Sequence, residues 1–244
     1  LADAAEEHIN WPRLLALCEK EPPALPVQPE TPPARVRIAV AQDEAFCFIY
    51  AETLEAFRDA GAEVVFFSPL HDTALPENIG GLYLPGGYPE LHAKKLSENT
   101  SLLREIKRKI ESGLPTAAEC GGFLYLGQSL TDAEGQSWPM AGVLPGEAKD
   151  AGRLVRFGYA TLSADSDSML FRAGESFPIH EFHHWDSTAN GTALAAKKPV
   201  GGAAWRCGFI DEHFYAGFPH LYWAGTPLPQ RFAAAAENYR RDHD

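Results

Sequence analysis

The order of apolar and polar positions predicts alternating strands and helices from Val36 onward. Short apolar runs, "VRIAVA", "EVVFF", "GLYLP" and "PTAAE", are separated by segments with helical spacing. "FIYAETLEAFRDAGA" ends at a glycine, and "SENTSLLREIKRKIESG" begins with Ser97 or Asn99 as the N-cap and stops at Gly113. Strands that alternate with helices are typical of a parallel sheet with helices on both faces. We therefore expect an α/β fold with three layers and a central, mostly parallel sheet.

The second half of the chain is richer in strand patterns than the first. "RLVRFGYATL", "AAWRCGFID" and "HFYAGF" combine β-branched and aromatic residues, and the final segment "PQRFAAAAENYRRD" has helical spacing. β-branched and aromatic residues favour strands. The second half is therefore expected to add extra β-strands to the α/β core.

The residues before Val36 differ from the rest. Residues 1–20 have helical spacing, and residues 21–35 hold the proline-rich "EPPALPVQPETPPA", which is typical of an extended linker. The chain begins at Leu1 rather than at a methionine. We expect residues 1–20 to be the end of an upstream domain, residues 21–35 to be a linker, and residues 36–244 to form the main domain.

Composition excludes several classes of function. The 244-residue chain has a formal net charge of -12, which argues against a nucleic-acid partner, because phosphates attract clustered Lys and Arg. No apolar run is long enough to span a bilayer, and the N-terminus has no signal-peptide pattern. Four cysteines are irregularly spaced, without a C-x-x-C pair. This pattern indicates neither a disulfide framework nor a zinc knuckle, and we expect a cytoplasmic protein.

Cys120 lies in the segment with the clearest chemistry, "PTAAECGGFLYLG". A buried strand there turns abruptly into a helix, and Gly121 and Gly122 permit a strained turn. This layout is typical of a nucleophile elbow, with the sulfur at a helix N-terminus that favours the thiolate. The alternative is a buried, inert cysteine. The other three cysteines lack such a setting and are interpreted as packing residues: Cys18, Cys47 and Cys207.

A second glycine-rich turn, "LYLPGGYPEL", follows another predicted strand. Gly86 and Gly87 bring backbone amides into reach of a substrate oxygen, and the amide of Gly121 is a second donor for an oxyanion hole. A phosphate-binding loop of the form G-x-x-x-x-G-K-S/T is absent from the sequence. We therefore expect no ATP site in this chain.

A nucleophilic cysteine needs a base, and nine histidines are available. Spacing alone leaves His220 and the group His180, His183 and His184 open. The segment from His180 to His184 also satisfies H-E-x-x-H, the zinc pattern of metalloproteases. That pattern requires a helix, whereas "PIHEFHHWD" is aromatic-rich and poor in helix formers. We expect these residues to have a structural role or to lie on the rim of an active site, and we expect no metal.

Four segments carry a family resemblance: "DEAFCFIY", "PGGYPEL", "AECGGFLYL" and "HEFHHWDS". In this order they resemble the C-terminal glutaminase domain of the cobyrinic acid a,c-diamide synthase family, a corrinoid-type branch of the class I glutamine amidotransferases. The resemblance runs from about Val36 to about Gly225. It implies the flavodoxin-like class I fold, with Cys120 as nucleophile and His220 as its activating histidine.

One position departs from the class I pattern that the resemblance invokes. Ordinary class I enzymes take a glutamate two residues after the catalytic histidine as the third triad member, and Tyr222 stands there. A tyrosine does not fill that role. Glu181 remains as a candidate third residue, and His184 is a candidate rim residue.

The resemblance also implies a function. The chain would hydrolyse glutamine and supply ammonia for ATP-dependent amidation of the a and c carboxylates of cobyrinic acid in cobalamin biosynthesis. Its implied partner is an N-terminal synthetase domain, and ATP and magnesium are expected only there. Three alternatives stay open: another tetrapyrrole (hydrogenobyrinate or nickel-sirohydrochlorin), a cysteine peptidase, and a non-catalytic glutamine-binding module.

Overall fold

The computed structural model describes residues 2–19, 21 and 33–243. The chain divides into two compact units, Leu1–Glu30 and Thr31–Asp244. The predicted linker lies largely outside the described residues, and the predicted domain boundaries stay predictions.

The helices are, in chain order, α1 (Ala2–His8), α2 (Trp11–Cys18), α3 (Ala51–Asp59), α4 (Ala93–Glu98), α5 (Thr100–Glu111), α6 (Gly121–Tyr125) and α7 (Leu228–His243), with a short 3₁₀ helix at Pro89–His92. The strands are β1 (Val36–Ala41), β2 (Ala62–Phe67), β3 (Ile79–Leu84), β4 (Thr116–Glu119), β5 (Ser129–Thr131), β6 (Ser137–Pro139), β7 (Glu147–Asp150), β8 (Arg156–Ala164), β9 (Ser176–His183), β10 (Trp185–Ser187), β11 (Leu194–Lys197), β12 (Ala204–Cys207), β13 (Phe209–Ile210), β14 (Phe214–Gly217) and β15 (His220–Leu221).

The first unit contains two short helices where the spacing suggested one. Asn10 caps α2, because its side-chain oxygen accepts from the backbone N–H of Arg13 at 3.1 Å. Pro12 in the first turn has no N–H to satisfy. Neither α1 nor α2 contains a buried residue.

The second unit is built on a six-stranded sheet with the order β13-β14-β4-β3-β1-β2. Every neighbouring pair is parallel except β13 and β14. β3, β4 and β14 are buried along their whole length, as short apolar runs in the middle of a parallel sheet should be. Their register places the carboxyl ends of these three strands side by side, with Leu84 opposite Ala118 and Gly217 opposite Glu119.

Alternation along these strands divides the core into two layers. Ala39, Leu82 and Ala118 belong to one buried cluster, which includes side chains of α5 and α6. Ile38, Tyr83 and Ala117 belong to the other, with side chains of α3 and α7. Because successive side chains of a strand face opposite sides, the sheet lies between two helical layers. The predicted three-layer α/β fold is confirmed.

The helix-start prediction needs one correction. Asn99 directly precedes α5, but its side-chain amide donates to the carbonyl oxygens of Pro69 (2.8 Å) and Asp72 (2.7 Å) instead of capping the helix. Gly113 does follow the helix, with a φ of +89°.

Two smaller sheets make up the extra strands of the second half, with the orders β10-β7-β5-β6 and β12-β11-β8-β9-β15. β15 pairs antiparallel with β9, so that His220 lies opposite His180. This pairing connects the late histidine to the H-E-x-x-H segment. Within the described residues, no helix has the length and apolar character that crossing a membrane requires.

Candidate active site

Cys120 occupies a strained turn between β4 and α6. Its backbone has φ 48° and ψ -103°, and apart from Asn78 it is the non-glycine residue with positive φ in the described part of the chain. The Cys120 N–H donates to the carbonyl of Gly217 at 2.8 Å, which ties the turn to β14. A Cβ on Gly122 would lie 2.1 Å from the carbonyl oxygen of Leu84, so only glycine fits there. The structure therefore has the predicted elbow geometry.

A cavity of about 130 Å³ opens beside this turn. It brings together the predicted nucleophile, two of the candidate histidines and one of the predicted glycines. Its lining residues are Phe48, Gly87, Tyr88, Cys120, His180, Phe182 and His220. A larger cavity of about 560 Å³, lined by the end of α5 and by β13 and β14, includes neither Cys120 nor His220.

The two glycine-rich turns meet at this cavity. A Cβ on Gly121 would lie 3.0 Å from the backbone nitrogen of Gly87, so the two backbones are in close contact. A Cβ on Gly87 would lie 2.1 Å from the carbonyl oxygen of Ala45. Gly86 packs differently, because a Cβ there would lie 2.4 Å from Cε1 of His220. The His220 ring therefore packs directly against the backbone of Gly86.

His220 is 6% exposed and starts β15. The ring of Phe48 packs edge-on against it, with centroids 4.7 Å apart. Nδ1 of His220 is buried and has no hydrogen-bond partner among the residues that the structure describes; Oε2 of Glu119 lies 3.8 Å away. That separation is too long for a hydrogen bond.

Glu119, the residue before Cys120, is 1% exposed. Its Oε1 accepts from Nε1 of Trp223 at 2.8 Å, and its Oε2 accepts from the hydroxyl of Tyr83 at 3.1 Å. This carboxylate was not among the site residues predicted from the sequence. The available signal was its position on a buried strand directly before the nucleophile, where a charged residue needs partners.

Burial controls the electrostatics of the site. Loss of solvent is the main cause, and the negative charge of the nearby Glu90 the second, of a pKa of about 12 for the Cys120 thiol. Burial also lowers the pKa of His220 to about 3, with smaller contributions from His180 and His183. The thiol and the imidazole are therefore both neutral at neutral pH. The amide of Gly121 at the start of α6 does lower the pKa of Cys120, as expected of a helix N-terminus, but the loss of solvent outweighs this contribution in the present state.

Two other cysteines also differ from expectation. Cys18 and Cys47 are exposed free thiols, so they are not packing residues, whereas Cys207 is buried as predicted.

The H-E-x-x-H segment forms strand β9 and the bend after it, not a helix. Alternation separates its residues: His180 and Phe182 line the Cys120 cavity, whereas Glu181 and His183 do not. His184 is exposed, with its ring 5.8 Å from that of Phe182. The one-turn spacing that zinc ligation by His180 and His184 requires does not exist on a strand. Across residues 2–19, 21 and 33–243, no group of three His, Cys, Asp or Glu side chains could hold a metal ion.

Glu181 makes its contacts away from His220. Its Oε1 accepts from Nε1 of Trp205 at 3.2 Å, and its Oε2 lies 3.4 Å from Nε2 of His183. The structure thus places Glu119, and not Glu181, beside His220, and it pairs Glu181 with His183. As a third triad member Glu181 therefore lacks the contact that the role requires.

The chain matches the CobB/CobQ-like glutamine amidotransferase domain over residues 37–227. It belongs to this family. Curated relatives include the cobyrinate a,c-diamide synthases of Synechocystis sp. (44% identical, covering 99% of this chain and 52% of the relative) and of Caldanaerobacter subterraneus (43% identical, covering 77% and 42%). The enzyme of Salmonella typhimurium is 35% identical, covering 96% and 53%. The chain spans about half the length of the curated relatives it matches.

Solved structures agree with the fold of this amidotransferase family. PurLQS from Thermotoga maritima matches with a TM-score of 0.55 and 19% identity, covering 84% of this chain and 98% of that chain. A glutamine amidotransferase, also from Thermotoga maritima, matches with a TM-score of 0.52 and 12% identity, covering 86% and 85%. At this identity the likeness shows the class I amidotransferase fold, which confirms the predicted fold class.

Proposed function

We propose that this chain hydrolyses the side-chain amide of glutamine with Cys120 as nucleophile and His220 as base. The observation that carries the proposal is that both residues line one small cavity together with Gly87. The strained turn at Cys120 supports it further, because strain of this kind is retained at sites where it is used. The oxyanion donors are the amides of Gly87 and Gly121, whose backbones are in contact.

The reaction starts from a neutral thiol and a neutral imidazole. His220 accepts the Cys120 proton as the sulfur attacks the amide carbon of glutamine, and the amides hold the resulting oxyanion. The carbon–nitrogen bond then breaks, the nitrogen takes the proton from His220, and ammonia leaves a thioester on Cys120. A water molecule gives a proton to His220 and attacks the thioester. The carbon–sulfur bond breaks, the proton returns to sulfur, and glutamate is released.

We further propose that the ammonia is used to amidate the a and c carboxylates of cobyrinic acid. The curated relatives named above support this assignment by their names and by 35–44% identity. The partner is the synthetase half of such an enzyme, in the part of the relatives that this chain does not span. ATP and magnesium are expected to bind there, and no step in this chain depends on them.

Exposed aromatic residues around the cavity support a partner at its mouth. Tyr88 and Phe182 line the cavity and are 52% and 44% exposed. Phe157 packs against Phe182 and is 62% exposed, and Tyr159 packs against His180 and is 74% exposed. Clustered exposed aromatic side chains are typical of interaction surfaces.

Glutamate release by wild type and by the Cys120→Ala and His220→Ala variants tests the catalytic assignment. Both variants are expected to lose turnover, while Cys47→Ala, which removes an exposed thiol, keeps it. Activity in Cys120→Ala would disprove the nucleophile. Activity in His220→Ala would disprove the base.

Addition of the synthetase half with ATP, magnesium and cobyrinic acid tests the pathway and the partner. We expect glutamate release to rise and the diamide to form. Tyr159→Glu should weaken the stimulation by roughly tenfold or more, as loss of a central interface aromatic does. Phe66→Glu is the control, since Phe66 is an exposed aromatic on β2 outside the cavity lining. Equal stimulation of both variants would disprove the proposed surface.

A further inference from the structure

His220 is buried, at 6% exposed, and its Nδ1 has no hydrogen-bond partner within the described part of the chain. An unsatisfied polar atom in a buried position costs about 1–3 kcal/mol. A histidine that exchanges protons through one nitrogen also needs the other nitrogen fixed, because the partner of the second nitrogen decides which tautomer forms. The requirement is met only by a group within reach of Nδ1.

Glu119 is the carboxylate within reach. Its Oε2 lies 3.8 Å from Nδ1, and a shift of roughly 1 Å would bring the pair to hydrogen-bond distance. Catalytic hydrogen bonds are often long before the substrate binds. The side chain is held in place by Trp223 and Tyr83 and by the backbone N–H of Leu221. Tyr222, at the usual class I position, is 46% exposed and carries no carboxylate.

We propose that Glu119 is the positioning residue of His220: its carboxylate accepts the N–H of Nδ1 and leaves Nε2 as the basic nitrogen that serves Cys120. The third member of the triad thus comes from the residue before the nucleophile instead of from the segment after the histidine. The catalytic part of this inference rests on the proposed glutaminase function. The assignment of the His220 tautomer is independent of that function.

The protonation state of Glu119 decides between two arrangements. Burial raises the pKa of Glu119 to about 8, and a protonated Glu119 would donate to Nδ1 and put the ring proton on Nε2. The carboxylate gives the opposite tautomer. We therefore expect His220 to change from the Nε2–H to the Nδ1–H form as the pH rises through the pKa of Glu119.

Among the groups around the pair, three tyrosines and His180 do not titrate in the same way. The nearby tyrosines have pKa values above their ordinary value of 10 and stay neutral below pH 10. Burial lowers the pKa of His180 below its ordinary value of 6.5, so its ring is neutral at pH values above 6.5. The titratable groups around the pair are Tyr50, Tyr83, Tyr215, His180, His183, Glu181 and Cys120.

The variant Glu119→Gln gives a sharp test. The indole of Trp223 can only donate, so the amide oxygen of the glutamine must face it, and the amide NH₂ then faces Nδ1 of His220. The variant should hold His220 in the Nε2–H form at every pH. If the protein is a glutaminase, its kcat should fall on the order of 10²–10⁴-fold with little change in KM, as for other histidines fixed in the wrong tautomer.

The experiment is ¹⁵N NMR of the histidine-labelled chain between pH 6 and 10, with His220 assigned by its loss in His220→Gln. Glu181→Gln is the comparison variant, because Glu181 is equally buried but pairs with His183, and it should leave the His220 signals unchanged. A wild-type His220 that keeps the Nε2–H form up to pH 10 would overturn the proposal, as would an Nδ1–H form in Glu119→Gln. A correct tautomer in a protein without glutaminase activity would instead disprove the proposed function alone.

Discussion

Replacing Gly86 by alanine is expected to displace the His220 ring from its position against residue 86. The new Cβ would lie 2.4 Å from Cε1 of His220, whereas carbon atoms normally approach to about 3.5 Å. The ring must therefore move by roughly 1 Å, since the Gly86 backbone is held by its bridge to Phe48. A displacement of this size can reduce the rate about 10²-fold. The overpacking should also lower the free energy of unfolding by about 1–3 kcal/mol.

Steady-state glutamate release in the presence of the synthetase half measures this effect. We expect kcat to fall about 10²-fold and KM to change little, because the substitution moves the base and not the residues that contact glutamine elsewhere. Urea unfolding of the same protein gives the stability cost separately.

Gly146→Ala is the matched control. Its Cβ would lie 2.2 Å from Oγ of Ser187, a similar overlap with a side chain outside the candidate site. It should lose comparable stability and keep kcat. If Gly86→Ala keeps the wild-type kcat while it loses as much stability as Gly146→Ala, the position of the His220 ring does not limit the reaction.

Three further outcomes follow from the charges of the fold. Arg231→Ala should lower the free energy of unfolding, measured in urea at pH 7, by about 1–3 kcal/mol, because Arg231 donates two hydrogen bonds to Glu175. These bonds hold the pKa of Glu175 at about 2, so the difference between wild type and variant should disappear as the pH falls from 4.5 toward 2. Glu90→Gln should raise the free energy of unfolding above pH 7 by on the order of 3 kcal/mol. Burial raises the pKa of Glu90 to about 7, so folding loses stability as the pH rises through that value and the buried carboxyl ionises, whereas glutamine stays neutral. Brief iodoacetamide treatment at neutral pH should label exposed Cys47 before Cys120, whose thiol is buried; mass mapping that found Cys120 first would contradict the neutral-thiol description.

Local patterns were sufficient to predict the fold. β1 and β4 lie within the apolar runs that predicted them, and β2 and β3 begin one and two residues before theirs. The elbow at Cys120 follows from small residues at a strand end. These features depend on neighbours in the sequence. The break between α1 and α2 also had a local signal, Asn10 before Pro12, which the helical spacing of the whole segment concealed.

The partners of the buried carboxylates could not be predicted in the same way. Glu119 meets Trp223 and Tyr83, which lie 104 and 36 residues away. Glu181 attracted attention because it lies in an H-E-x-x-H pattern, yet the face of β9 on which it lies depends on how β8, β9 and β15 pair. Strand alternation then places His180, and not Glu181, beside Cys120. Long-range pairing, which a single sequence does not contain, decides which carboxylate belongs to the site.

The resting charge state of the site bears on when it can react. A thiol with a pKa of about 12 and an imidazole with a pKa of about 3 do not form an ion pair on their own in a cavity of this size. On the proposed mechanism, the thiolate and imidazolium arise only as the amides of Gly87 and Gly121 receive the oxyanion and as the carboxylate of Glu119 approaches Nδ1. Each of these contacts requires a bound substrate or a small closure of the site. On this mechanism, a buried, neutral pair restricts nucleophilic attack to the state in which glutamine is bound and the site is closed.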